Sequence, residues 1–230
     1  MKKGLSGLAA LAIVITALAS CADFFTNSWA KDGARDPGTI KVTSSNVDDL
    51  LKEARGDRPM SRGILDKLEG TTDPVLQAAA VTAGNQAAGL GQTVLSNLDI
   101  LLDDTSDTTT LTKLAKEIQD DVKRNDIVGI ADILAKTLPV SSGNPPTLGD
   151  FSKEVSTSDL TLMAVTLVLA EAERASQDFD TYIAGWGGGG KDLQGNNLSP
   201  NERLIAAVAN EAANRPDSQF GDMLKNLLNA

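Results

Sequence analysis

The chain reads as all-α: an irregular multi-helix bundle or a short α-solenoid-like array of antiparallel helix pairs. Three observations carry this. Apolar residues recur at the i, i+3, i+4, i+7 spacing of a helix in segment after segment from Val47 onward. Start and stop signals flank those segments, with Asp73-Pro74 and Ser199-Pro200-Asn201-Glu202 at beginnings and glycines or Pro216 at ends. No stretch alternates apolar and polar residues for long enough to make a strand; Ile40-Lys41-Val42 does so too briefly. No repeat of fixed period is found, so the solenoid alternative rests on helix pairing alone.

In chain order, Val47, Leu50, Leu51 and Ala54 make the first stripe, with Ser45 or Asn46 as cap and Gly56 as stop. Met60 to Leu68 reads as a short second helix, apolar at Ile64, Leu65 and Leu68 and ended by Gly70. Asp73 caps a third, alanine-rich helix, Val75 to Ala88, whose small side chains admit a close neighbour. Its glycines at 84, 89 and 91 are expected to weaken or stop it. Val94, Leu98, Leu101 and Leu102 share the next face, and Asp103 to Thr110 is a polar loop. Two amphipathic stripes follow: Leu111, Leu114, Ala115, Ile118 and Val122, then Ile127, Ile130, Ala131, Leu134 and Leu138. Residues 140–150 hold Gly143, Pro145, Pro146 and Gly149 and mark the place for an internal boundary.

Leu160 to Ala170 is the most hydrophobic segment, apolar nearly all round except at Thr161 and Thr166. A membrane span needs about 20 such residues, so this is a central helix buried on every side. The same helix is predicted to continue as an amphipathic one through Ala172, Ala175, Phe179, Tyr182 and Ile183, past about 20 residues in all. Gly185 to Leu198 is a loop rich in glycine and asparagine. After the capping box, Leu204, Ile205, Val208 and Ala212 carry a buried face; beyond Pro216, Phe220, Met223, Leu224, Leu227 and Leu228 make a last stripe. The expected total is about nine helices over residues 46–230.

Ahead of that domain lie two segments of different character. Lys2 and Lys3 precede an apolar run, Leu5 to Leu18, broken only by Ser6, Gly7 and Thr16, and the small residues Ala19 and Ser20 lead to Cys21. Charge resumes at Asp23, so the layout is that of an export signal and not of a membrane-spanning helix. Residues 21–45 are polar, with a turn at Asp36-Pro37-Gly38, and read as a tether. Phe24, Phe25 and Trp29 suit either a lipid interface or docking on the body, and the nearness of the two Phe to Cys21 favours the interface for them.

Leu18-Ala19-Ser20-Cys21 resembles the bacterial lipobox. The resemblance implies cleavage before Cys21, a diacylglyceryl thioether on its sulfur and an acylated amine, with palmitate-type chains. It therefore implies a body tethered to a membrane in the bacterial cell envelope, in the periplasm or at the cell surface. Each buried methylene contributes about 0.8 kcal/mol, and two or more chains anchor stably, so the body needs no membrane-binding surface of its own. Cys21 to Pro37 also resembles the start of spirochaete lipoproteins of the treponemal type, which implies a compartment and not an activity.

Composition removes several function classes. Cys21 is the only cysteine, which leaves the body to be held by packing, and there is no histidine, which rules out Ser-His-Asp and Cys-His catalysis. Zinc would depend on carboxylates alone. The net charge of −10 becomes −12 once Lys2 and Lys3 are removed, which opposes nucleic acid and anionic headgroups alike. Eight aromatic residues are too few for base-stacking platforms.

Gly185, Trp186, Gly187, Gly188, Gly189, Gly190 and Lys191 follow phosphate-loop spacing up to the lysine. Asp192 stands where the magnesium-binding Ser or Thr belongs, and a helix precedes the run instead of a strand, so no nucleotide is expected. These seven residues instead form a candidate contact loop, with an exposed tryptophan able to touch a partner or cover a pocket. Asp103, Asp104 and Asp107 invite calcium, but Thr108 and Leu114 occupy the positions where an EF-hand loop needs Gly and Glu. Asp48, Asp49 and Glu53 read as a solvated helix face. A carboxylate pair could hydrolyse a glycosidic bond, yet no spacing singles one out.

Together these features predict no catalytic residue, no metal and no cofactor beyond the covalent lipid on Cys21. The expected function is a non-enzymatic, lipid-anchored interaction or accessory subunit with a protein partner. The alternative is a module for a small or apolar ligand, with a pocket between helices gated by residues 185–198.

Overall fold

The structure, a computed structural model, describes residues 41–89, 126–177, 179–186, 191–215 and 228. Within these residues it is all-α. The helices are α1 (Val47–Glu53), α2 (Arg58–Leu68), α3 (Pro74–Ala88), α4 (Ile127–Thr137), a 3₁₀ helix (Asp150–Glu154), α5 (Thr157–Arg174), α6 (Phe179–Ala184) and α7 (Pro200–Ala213). All fall in one compact unit. The pairing among them is that of an irregular bundle: α3 packs on α1, α2, α4, α5 and the 3₁₀ helix, and α5 packs on α3, α4, α6 and α7. In a solenoid each pair would touch only its neighbours in sequence.

Short polar side chains start most of these helices by accepting from backbone N–H groups that have no partner inside the helix. Asp57 accepts from Met60 N at 2.9 Å, Asp73 from Val75 N at 2.9 Å, and Ser156 from Asp159 N at 3.0 Å. The Asp57 cap, with Pro59 in the first turn, starts α2 at Arg58, ahead of the Met60 that its apolar stripe indicates. Asn46 does not cap α1; its amide instead bonds Thr43 N and the carbonyl of Lys41. Ser199 and Glu202 form the capping box of α7 as the sequence predicts.

The alanine-rich α3 is buried along most of its length and carries no charge. The helix runs on through Gly84, one of the glycines expected to weaken or stop it. Gly84 lies in the helix interior, where an added Cβ would sit 3.2 Å from Leu134 Cδ1 of α4, so the missing side chain lets α4 come close. The stop is Gly89, at φ 71, with the Arg58 guanidinium in the place a Cβ would take. Amides supply the polar contacts: Gln77 donates to Thr71 O and Thr137 O, and Gln86 donates to Leu51 O while accepting from Ser61 Oγ.

Leu160 to Ala170 forms the central part of α5, with Leu160, Met163, Leu167 and Val168 fully buried. Thr161 and Thr166 each donate to the carbonyl one turn back, at 2.9 Å, which satisfies their hydroxyls inside the core. The predicted continuation through Ile183 does not occur; α5 ends at Arg174 after 18 residues. Ser176 turns left-handed at φ 54, Ser176 N bonds Glu173 O and Gln177 N bonds Ala172 O, a Schellman closure without glycine. Phe179 to Ala184 is a separate helix.

Residues 140–150, where a boundary was expected, fold back on themselves. Val140 and Leu148 form an antiparallel bridge, Ser141 N bonds Thr147 O, and Gly149 N bonds Pro139 O around a cis Asn144-Pro145 peptide. Arg203 of α7 donates to the carbonyls of Ser141 and Gly143 and to Asn144 Oδ1. The flanking helices α4 and α5 pack directly on one another.

Several sequence expectations lie outside the described residues: the export signal, Cys21, the tether up to residue 40, the stripes at 94–102 and 111–122, and the loop with Asp103, Asp104 and Asp107. Of the last stripe only Leu228 is described, helical and buried. Among the described residues no helix is long and apolar enough to cross a membrane.

The α3–α4 approach gives a direct test. Gly84→Val should destabilise the fold by about 1–3 kcal/mol, the usual cost of overpacking, read as a lower urea midpoint with an unchanged slope. An unaltered midpoint would mean that α4 does not sit against Gly84.

Candidate functional site

The candidate contact loop begins where α6 ends. Gly185 N bonds Tyr182 O and Trp186 N bonds Ile183 O, which turns the chain inward. Trp186 is 1 % exposed and belongs to the hydrophobic core, so the exposed tryptophan expected from the sequence is not there. An indole removes more apolar surface from water than most side chains, and a core beside it outcompetes a glycine-rich loop. Gly187, Gly188, Gly189 and Gly190 lie outside the described residues. Trp186 and Lys191 form an isolated parallel bridge, so the chain on either side of the glycines runs side by side.

Lys191 is brought to Glu202, its Nζ 2.5 Å from Oε1. Tyr182 donates its hydroxyl to the same oxygen at 2.9 Å, and Ser199 N donates to Oε2 at 2.8 Å. The ammonium also lies 5.1 Å from the centre of the Tyr182 ring, within cation–π range. One buried carboxylate thus joins α6, the loop and the first turn of α7. Beyond Lys191 the loop is pinned again. Asp192 accepts from the backbone and side chain of Asn196, Asn210 Nδ2 donates to Leu193 O at 2.8 Å, and Leu193 is buried. Gly195, at φ 97, lies against Asn144 and Arg203, where a side chain would collide.

The electrostatics favour the carboxylate form of Glu202 and the neutral phenol of Tyr182. Burial tends to raise the Glu202 pKa, but bonds from Lys191, Ser199 and Tyr182 outweigh it and hold the carboxyl below its ordinary value. Burial and then the neighbouring Glu202 push Tyr182 well above the ordinary phenol value. Asp192 is lowered by its bonds to Asn196. The result is a neutral phenol, a lysine and a carboxylate both of whose oxygens are engaged. That arrangement holds the loop to the body through one carboxylate. Among the described residues no group of three or more Asp, Glu, His or Cys could hold a metal ion.

Of the seven loop residues singled out, Gly185 closes α6, Trp186 is core, and Lys191 is the ion-paired anchor. Tyr182 and Glu202 were legible only as a helix-face residue and a capping residue. Their convergence on Lys191 spans 20 positions, and no local spacing signals it. Protein-family models, curated proteins and solved structures return no match to this chain.

Glu202→Ala should cost about 2–4 kcal/mol, because it leaves Lys191 and the Tyr182 hydroxyl without their acceptor; Trp186 emission should shift to the red at lower urea. Because the folded Glu202 pKa is lowered, its contribution is present above the ordinary glutamate value and lost as pH falls through the folded value. The stability difference between wild type and Glu202→Gln should therefore be largest near neutrality and shrink on acidification. A difference independent of pH would show that the charge of Glu202 does not hold the loop.

Proposed function

We propose that the protein is a lipid-anchored, extracytoplasmic helical protein that acts as a non-enzymatic interaction or accessory subunit. The observation that carries this reading is Leu18-Ala19-Ser20-Cys21 at the end of a charged and then apolar N-terminal run. The tether that follows separates the lipid from the helical body. The body's own features support the same reading. Lys191, Tyr182 and Glu202 beside the glycine loop bond to one another, and the net charge of the chain opposes nucleic acid and anionic headgroups.

Among the described residues the only large hydrophobic side chain standing well exposed is Val75. A protein partner that meets these residues therefore meets a polar surface, where hydrogen bonds and charge set specificity and association rate more than apolar burial does.

Metabolic labelling tests the anchor. The wild-type chain should incorporate radioactive palmitate and partition into detergent, and Cys21→Ser should lose both properties while keeping its helical circular dichroism. Crosslinking in intact envelopes should then recover one specific protein partner with the wild type, at lower yield with Cys21→Ser. Absence of label on the wild type would contradict the anchor; label without a reproducible partner would contradict the accessory role.

A further inference from the structure

Asn85 and Asp159 meet where α3 crosses the first turn of α5. Asn85 Nδ2 donates to the main-chain oxygen of Asp159 at 2.9 Å and reaches its carboxylate Oδ1 at 3.4 Å. Ser156 Oγ donates to the other carboxylate oxygen, Oδ2, at 2.8 Å. Asn85 is 4 % exposed, and among the described residues its amide oxygen has no donor. A buried acceptor without a partner destabilises the folded state. The same amide's Nδ2 lies 3.4 Å from the carboxyl of Asp159, a group that becomes a donor on protonation, since a carboxylic acid carries an O–H that a carboxylate lacks.

Burial is the largest influence on the Asp159 carboxyl and raises its pKa; the bonds from Ser156 and Asn85 lower it without cancelling that effect. Many charged groups of the surrounding elements are committed elsewhere. α3 has none. On α1, Lys52 pairs with Asp49, and on α2, Arg62 pairs with Asp66 and Asp126, while Arg58 lies against Gly89 at the end of α3. On α4, Asp132 holds Arg174 and Lys136 holds Glu69. On α7, Glu202 is engaged by Lys191 of the preceding loop, while Arg203 holds the 141–144 turn. Arg215 is spent on Glu211, Val155 O and Ser152 O, and Asp150 pairs with Lys153. Glu171 of α5 itself pairs with Arg174 at the far end of the helix.

We propose that Asn85 and Asp159 form a proton-sensitive joint between α3 and α5: when Asp159 takes up a proton from solvent, its O–H donates to Asn85 Oδ1 and the contact tightens. The step adds one proton and one hydrogen bond, breaks no covalent bond, and leaves a lone pair for the Ser156 hydroxyl. The sign follows from a folded pKa that lies above the unfolded one. The stabilisation is complete below the ordinary aspartate value of 3.8 and is lost as pH rises through the folded value.

Nuclear magnetic resonance on the full chain tests it, following the Asp159 carboxyl carbon and the Asn85 side-chain amide between about pH 7 and about pH 3. Both should titrate together, with one midpoint above 3.8. Asp159→Asn, whose amide can donate at every pH, should raise the folding constant about fivefold near neutrality, the worth of about one hydrogen bond. That gain should shrink on acidification and vanish in an Asn85→Ala background. An Asn85 amide that stays still while Asp159 titrates, as it would with a water on Oδ1, overturns the proposal. So does a gain from Asp159→Asn that persists without Asn85.

Discussion

The close packing of neighbours around α3 is the constraint on which the rest of the fold depends. A helix with alanine at six of its fifteen positions and glycine at 84 is thin along those positions and loses little side-chain entropy there on burial. It also contributes little apolar area of its own. The large buried side chains therefore come from its neighbours: Ile64, Leu65 and Leu68 of α2, Leu134 of α4, and Leu160, Met163 and Leu167 of α5. Each of these helices must be in place before α3 has a dry environment, so the core is a shared property of the bundle and of no single pair.

That constraint also decides how polar groups are used. Charge is absent from α3, where desolvation would be costly, and amides take its place: Gln77, Asn85 and Gln86 reach carbonyls or hydroxyls on other elements. Charged pairs sit toward the surface, as with Lys136–Glu69 and Lys153–Asp150, where each is worth little. The exception is Glu202, a buried carboxylate that gathers three donors and so fixes where the glycine loop leaves and rejoins the body. Attachment to a membrane, on the reading proposed here, resides in Cys21 and its tether, which leaves the body free to be an ordinary acidic, close-packed helical domain.

Much of this architecture is legible along the chain. Helices α1 to α4 and α7 announce themselves by apolar stripes with Asp, Ser and Pro at their starts, because capping and periodicity are local properties. What escapes is set by contacts between distant positions. Nothing beside Gly84 reveals that Leu134 will fill the space of its missing side chain. Ser176 is no obvious helix stop, yet it takes the left-handed place that glycine usually fills and splits one expected helix into two. Trp186, surrounded by glycines, has the local look of an exposed loop residue, but the core beyond the end of α6 claims it. The Tyr182–Lys191–Glu202 cluster is invisible in sequence for the same reason: its members belong to a helix, a loop and a cap, and only the packing of α6 near α7 makes them one site.

Native-state hydrogen exchange across α3 tests the central claim most directly. If the neighbours close on α3 as a unit, the amides from Ala78 to Ala88 exchange only through global unfolding, with an opening free energy equal to that from urea denaturation and greater than that of α6. Exchange from α3 through a partial opening, well below the global value while α5 and α7 stay protected, would contradict the account.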